Sequence, residues 1–249
     1  VTTDLQVTET GSGETLVLFV HGALGSGRSF NRVAEALTPG YRMLWYDRRG
    51  YGSSRDAAGT PATVERHIDD ILAILDGRPA IVAGHSFGGV PAIGAAVRAP
   101  EVIRAVVAYE TGMAWVPGWD DTALQRIFAD ADPPDAGLQM MLGERYGGLS
   151  DDERVGRLRD AVAFIAEERS ARADPPPFNA ADLRIPLVYG TSDERVMPAV
   201  TRHLQQEVRT LEIVTIPGAG HHAHRAAPGA FAQLIRRAHA LTPSTGPTP

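Results

Sequence analysis

Short, largely apolar runs alternate along this chain with longer stretches in which apolar residues recur every three or four positions. Runs at 16–20, 41–46, 80–83, 103–109, 186–189 and 211–216 have strand length and predict six strands. The first, followed by His21-Gly22, suits a strand buried on both faces. Between the runs, Phe30, Val33, Ala34 and Leu37 recur at helical spacing, as do Val64, Ile68, Ile71, Leu72 and Leu75. The Ala-rich stretch 90–97 and the stretches 200–208 and 231–240 complete the helices. Strands alternating with helices predict an α/β fold: a mostly parallel central sheet with helices on both faces.

One stretch breaks the alternation. From 112 to 183 no strand pattern occurs, and helix-like pieces are separated by Pro117, Pro133-Pro134 and Pro175-Pro176-Pro177. A structureless loop of that length is improbable in a folded domain. The stretch reads as a helical cap inserted into a core made of 1–111 and 184–241, with a flexible Pro/Thr/Gly/Ser tail at 242–249.

Composition narrows the chemistry. The chain has 249 residues, 43% hydrophobic and 22% charged, which suits one large domain with a buried core. A net charge of −6 without basic clusters argues against nucleic acid as a partner. There is no Cys, which excludes disulfides, thiolate nucleophiles and Cys-ligated metals. There is no Lys either, which excludes a Schiff-base lysine and a P-loop. No run approaches the roughly 18 apolar residues of a membrane span. The polar start lacks the pattern of a secretory leader, so the expected location is cytoplasmic, with secretion left open because the chain starts at Val1. The oligomeric state is left open.

The third predicted strand runs into Gly84-His85-Ser86-Phe87-Gly88 and then a helix, the context that gives G-x-S-x-G its meaning. A sharp strand-to-helix turn lifts the Ser86 hydroxyl above the sheet, and small residues at 84 and 88 avoid neighbouring elements. The following helix presents free N–H groups toward developing negative charge.

With His21-Gly22, the segment 47–54 (Asp-Arg-Arg-Gly-Tyr-Gly-Ser-Ser), the Ser86 elbow and Pro217-Gly218-Ala219-Gly220-His221, the chain resembles the α/β-hydrolase superfamily, in its serine hydrolase branch. The resemblance covers nearly everything except the cap. It implies a Ser-His-acid triad. Ser86 is the nucleophile and His221, after the last strand, is the base. Asp193, after the strand at 186–189, is the favoured acid, with Glu110 at the end of the preceding strand as the rival. Backbone N–H groups of Ala23 and Phe87 would form the oxyanion hole, with Leu24 as the alternative to Ala23. Ser rather than Asp at 86 argues against the dehalogenase and epoxide hydrolase branches. His21 and His85 are expected to pack structurally, His222 and His224 to line a rim, and His67, His203 and His239 to lie at the surface. No metal is expected, since no zinc motif and no second ligand group accompanies the cluster of His221, His222 and His224. Asp47 is expected to pair with Arg48 or Arg49.

For the pocket, Leu24, Phe30, Trp115, Trp119, Met140 and Met141 are the apolar candidates, suited to a small, largely apolar substrate. Arg126, Arg145, Arg157 and Arg159 are expected on solvated faces. The expected function is cofactor-independent hydrolysis of a carboxylic ester, lactone or thioester through an acyl-enzyme. The alternatives are a C–C bond hydrolase, a perhydrolase of the non-haem haloperoxidase type, and a non-catalytic ligand-binding protein on the same scaffold.

Overall fold

The computed structural model describes residues 4–193 and 197–243. Seven strands, β1 (Val7–Thr10), β2 (Thr15–Val20), β3 (Tyr41–Tyr46), β4 (Ala80–His85), β5 (Ile103–Tyr109), β6 (Leu187–Ser192) and β7 (Leu211–Ile216), form one sheet. Their order is β1-β3-β2-β4-β5-β6-β7. Only β1 runs antiparallel to its neighbour; the other pairings are parallel. The helices are α1 (Asn31–Leu37), α2 (Val64–Leu75), α3 (Gly89–Arg98), α4 (Thr122–Phe128), α5 (Pro133–Leu142), α6 (Asp151–Ser170), α7 (Pro198–Glu207), α8 (Ala223–Ala226) and α9 (Pro228–Leu241).

The two-residue period of the central strands divides the core. Leu16, Leu18 and Val20 of β2, with Val82 of β4, face α2, α3 and α7. Val17 and Phe19, with Ile81 and Ala83, face α1 and α9. Strands buried on both faces need continuous apolar runs, which is why their sequence does not alternate. Two differences from the sequence expectation stand out. β1 was not foreseen; all four of its residues are exposed, so it carries no apolar pattern. The strand expected at 186–189 extends through Gly190 and Thr191 to Ser192, all three buried. Residues 244–249 of the expected tail lie outside the described residues. No described helix is long and apolar enough to cross a membrane.

Helices α4, α5 and α6 lie between β5 and β6. Helix α6 starts on a capping box, Ser150 with Glu153, and its first turn carries Asp151, Asp152 and Glu153, which suit the positive end of the helix dipole. Its inner face places Phe164 and Ile165 with Ile127 of α4, packed on Ala23, Leu24 and Met141.

A buried polar network fastens α6 to the sheet. The Arg48 guanidinium donates to both carboxylate oxygens of Glu167, and both side chains are fully buried. Tyr51 Oη donates to Glu167 at 2.7 Å, and His67 Nε2 lies 2.7 Å from it. Arg48 also donates from its backbone N to His21 Nε2 and from Nε to the His21 carbonyl, both at 2.7 Å. Its guanidinium lies 5.0 Å from the Phe87 ring centre. Two expectations are corrected here. His67 is not at the surface; it is fully buried against Glu167. Asp47 pairs with neither arginine but accepts from the backbone of Gly27 and from Ser53, while Arg49 pairs with Asp4 and Asp70.

Two predictions follow from this network. Glu167→Gln leaves the buried Arg48 charge uncompensated, so unfolding in urea should show a loss of about 3–5 kcal/mol. Its pH dependence has a definite sign. Burial, with the Arg48 charge, pushes His21 down from 6.5 to about 3. Burial also pushes His67 down, despite its bond to Glu167. The unfolded chain therefore takes up these protons near pH 6.5 and the folded chain only well below it. This stability is fully present above pH 6.5 and is lost on acidification, at about 1.4 kcal/mol per pH unit per proton. Burial raises Glu167, but Arg48 and His67 outweigh it and hold the group at about 2, against an ordinary 4.5. Its contribution is present above pH 4.5 and lost toward pH 2. Urea midpoints measured from pH 8 to pH 4 should fall from about pH 6.5 downward and steepen below 4.5; a midpoint constant across that range would contradict the neutral, buried histidines.

Candidate active site

Parallel pairing brings the C-terminal ends of β2, β4, β5 and β6 to one edge of the sheet. Val20 is level with Gly84, His85 with Tyr109, and Tyr109 with Gly190. The residues that follow these strands therefore share one surface.

Ser86 follows β4 directly and adopts φ 51°, a left-handed conformation on the sharp turn into α3. The glycines beside it are required by space. A Cβ at Gly84 would meet the backbone of Gly88 and Gly89 at 2.5 Å, and one at Gly88 would collide with the Val20 carbonyl. The loop after β2 passes close by, since a Cβ at Gly22 would lie 3.0 Å from Ser86 Cβ. In that loop Gly25 N donates to the Gly22 carbonyl at 3.2 Å, so Ala23 and Leu24 form the corner, Leu24 at φ 51°. His21 Nε2 accepts from Arg48 N, so its proton sits on Nδ1, which donates to the Gly22 carbonyl at 2.8 Å. His21 thus serves the loop as a structural brace, as expected.

The carboxylate on the histidine is Glu110. This residue directly follows β5 at φ 44°, is fully buried, and places Oε2 2.7 Å from His221 Nδ1. Its Oε1 accepts from Ser192 N at 2.9 Å and from the Ser192 hydroxyl. Burial pushes the Glu110 carboxyl up, but the bonds from His221 and Ser192 outweigh it and hold the group below its ordinary value. Tyr109 Oη donates to the Gly220 carbonyl at 2.9 Å and fixes the loop that carries His221. The pairing of Asp193 with His221 is corrected by this geometry. Asp193 is exposed, and its Oδ1 accepts from Gly218 N at 2.8 Å, so it closes the turn after β7. The sequence signal that could have identified Glu110 is Ser192: a polar end to an otherwise apolar strand marks a buried acceptor beside it.

The pocket candidates divide. Leu24 and Met141 do pack on the cluster of Ile127, Phe164 and Ile165. Phe30 belongs instead to the core, stacked on Phe19 at 4.7 Å and fully buried. Trp115 packs edge-on against Phe178, and Met140 is exposed on α5. Trp119 lines a surface groove of about 580 Å³ with Asp121, Gln125 and Arg126, which includes none of Ser86, Glu110 and His221. Arg126, Arg145, Arg157 and Arg159 are exposed as expected, and Arg157 also reaches the Leu24 carbonyl at 3.4 Å.

A second group of imidazoles adjoins Ser86 and His221 in the chain. His85, His222 and His224 each offer a ring nitrogen, all within 4.8 Å of one another. His222 is exposed, but His224 is 2% exposed, so it is not on a rim. Burial is the main cause holding all three below the ordinary histidine value, His224 at about 3. The expectation of no metal rested on the absence of a second ligand group, and folding brings His85 to the pair from 137 residues away, as counted from position 85 to position 222.

Comparison with known proteins fits this geometry. The profile of the Alpha/beta hydrolase family matches residues 17–234. The 2-(acetamidomethylene)succinate hydrolase of Mesorhizobium japonicum is 28% identical, over 90% of this chain and 87% of that protein. The carbendazim hydrolyzing esterase of Nocardioides sp. is 32% identical, over 70% of this chain and 74% of that protein. Among solved structures, the enol-lactonase from Burkholderia xenovorans LB400 superimposes with a TM-score of 0.73 at 20% identity, covering 96% of this chain and 97% of that one. With its sheet order, its elbow and these matches taken together, the chain belongs to the alpha/beta hydrolase family.

Proposed function

We propose that this hydrolase is a cofactor-independent serine esterase that cleaves a carboxylic ester, lactone or thioester of a small, largely apolar substrate, with residues 112–183 as its cap. The observation that carries the reading is the 2.7 Å contact between His221 Nδ1 and the buried Glu110 carboxylate, on the same sheet edge as Ser86. An ionised acceptor on Nδ1 keeps the proton there and leaves the Nε2 lone pair free to act as base.

In the proposed reaction Ser86 Oγ attacks the substrate carbonyl while its proton passes to His221 Nε2. Glu110 stabilises the imidazolium. The Ala23 and Phe87 amides face the oxyanion, and Arg48 braces both, through His21 and through the Phe87 ring. Collapse expels the alcohol or thiol, which takes the proton from His221, and leaves Ser86 acylated. Water, deprotonated by His221, then releases the acid. The apolar cluster against Ala23 and Leu24 supports an apolar acyl or ring group.

On a panel of p-nitrophenyl esters of increasing chain length, with a lactone beside them, Ser86→Ala should keep the fold and retain only the residual rate of binding and the oxyanion hole, on the order of 10³ over water. A fluorophosphonate should label Ser86 in the parent; a correctly folded protein that neither turns over any member of the panel nor takes the label would leave a binding protein on a hydrolase scaffold. Glu110→Gln should lower kcat by about 10³–10⁴ with little change in KM. Asp193→Ala should change kcat by less than about threefold and cost about 1 kcal/mol through the lost turn contact. The reverse ranking on one ester would return the acid to Asp193.

A further inference from the structure

The imidazoles of His85, His222 and His224 are not used by the proposed reaction. His85 ends β4 immediately before the nucleophile, and His222 and His224 flank Ala223 just after the base, at the start of α8. Ring centres of His85 and His224 are 4.2 Å apart, those of His85 and His222 5.5 Å, and those of His222 and His224 6.0 Å.

The nitrogens are prepared for a Lewis acid. His85 Nε2 lies 2.7 Å from the His221 carbonyl, which can only accept. That bond places the His85 proton on Nε2 and the free lone pair on Nδ1. A histidine ligand that donates its other N–H to a carbonyl is the arrangement metal sites use to fix ring orientation. His224 is buried, and its Nδ1 has no hydrogen-bond partner among the described residues. His222 is exposed, so its ring provides both an opening to solvent and the freedom to swing.

We propose that His85, His222 and His224 form a three-imidazole site for a borderline divalent transition metal ion of the zinc or copper type. Imidazole donors suit these ions and not magnesium or calcium, and the group contains no carboxylate. Zinc–nitrogen bonds of about 2.0–2.1 Å require the three nitrogens to close to roughly 3.4 Å of one another. The nitrogens lie within 4.8 Å of one another, so the remaining approach is a matter of ring rotation, for which the exposed His222 has room. A fourth position remains for water. The bound ion would join the elbow that carries Ser86 to the loop that carries His221, so it acts as a clamp across the site and not as a reactant.

The test is direct metal binding by the full chain, freed of metal by a chelator and then dialysed. Competition with a chromophoric chelator should give one equivalent of Zn²⁺ bound at micromolar or lower concentration, and Co²⁺ should give the intense visible bands of a tetrahedral site. His222→Ala, at an exposed position, should weaken Zn²⁺ binding at least tenfold, remove the Co²⁺ bands and abolish a Zn²⁺-dependent rise in Tm. His239→Ala, an exposed histidine on α9, should leave all three unchanged. Equal affinity in the parent and His222→Ala, or binding only at millimolar Zn²⁺, would overturn the site. These readouts do not involve ester turnover, so they stand or fall separately from the proposed function.

Discussion

The pairing of Arg48 with Glu167 is the constraint on which the site's shape rests. Two fully buried charges are costly to remove from water, and their attraction offsets that cost only when every remaining donor and acceptor is satisfied. Here the satisfaction comes from four separate segments: His21 after β2, Tyr51 after β3, His67 on α2, and α6 itself. The pair therefore stabilises little unless all four are in place, and it disfavours any arrangement that lacks one. That property makes it a registration device. The loop of Ala23 and Leu24, the Phe87 ring and the helical segment over them are positioned by one set of contacts.

The contact of Glu110 with His221 obeys a related logic on the same sheet edge. Glu110 follows β5 and Ser192 ends β6, its parallel neighbour, so strand register places the donor beside the acceptor. His221 approaches from the loop after β7, and Tyr109 on β5 ties that loop down. A carboxylate held by strands is fixed more tightly than one held by a surface turn. Asp193 occupies such a turn, and its carboxylate is spent on the Gly218 amide.

What was legible in the chain was whatever depends on local pattern. Continuous apolar runs announced the buried strands, 3.6-residue spacing announced α1 and α2, and the elbow announced itself through Gly84 and Gly88, whose missing side chains have a steric reason. What was not legible depends on which distant groups meet. The exposed strand β1 has no apolar period to detect. His67 looked like a surface residue because a polar group on a helix ordinarily is one, and its burial makes sense only once Glu167, a hundred residues later, is beside it. Position along the chain favoured Asp193 over Glu110, and the order is reversed by which carboxylate the folded sheet sets beside His221. His85 joined His222 and His224 for the same reason: the sheet, not the sequence, makes them neighbours.

Leu24, Ser86 and Glu110 are three of the four described non-glycine residues with positive φ, and all three stand at the candidate active site. The fourth, Asp76, ends α2 before Gly77, where the left-handed form is an ordinary helix terminus. Each such conformation costs on the order of 1 kcal/mol or more, and folded domains have a margin of only about 5–15 kcal/mol. A noticeable part of the folding margin is thus committed to the placement of one loop corner, one hydroxyl and one carboxylate. The chain can become more thermostable by relaxing any of the three, and doing so would dismantle the arrangement it stabilises. Selection for heat resistance alone would therefore drift toward variants that lose this arrangement, and gains that keep it have to be sought elsewhere, on the exposed strand β1 or the solvent faces of the helices.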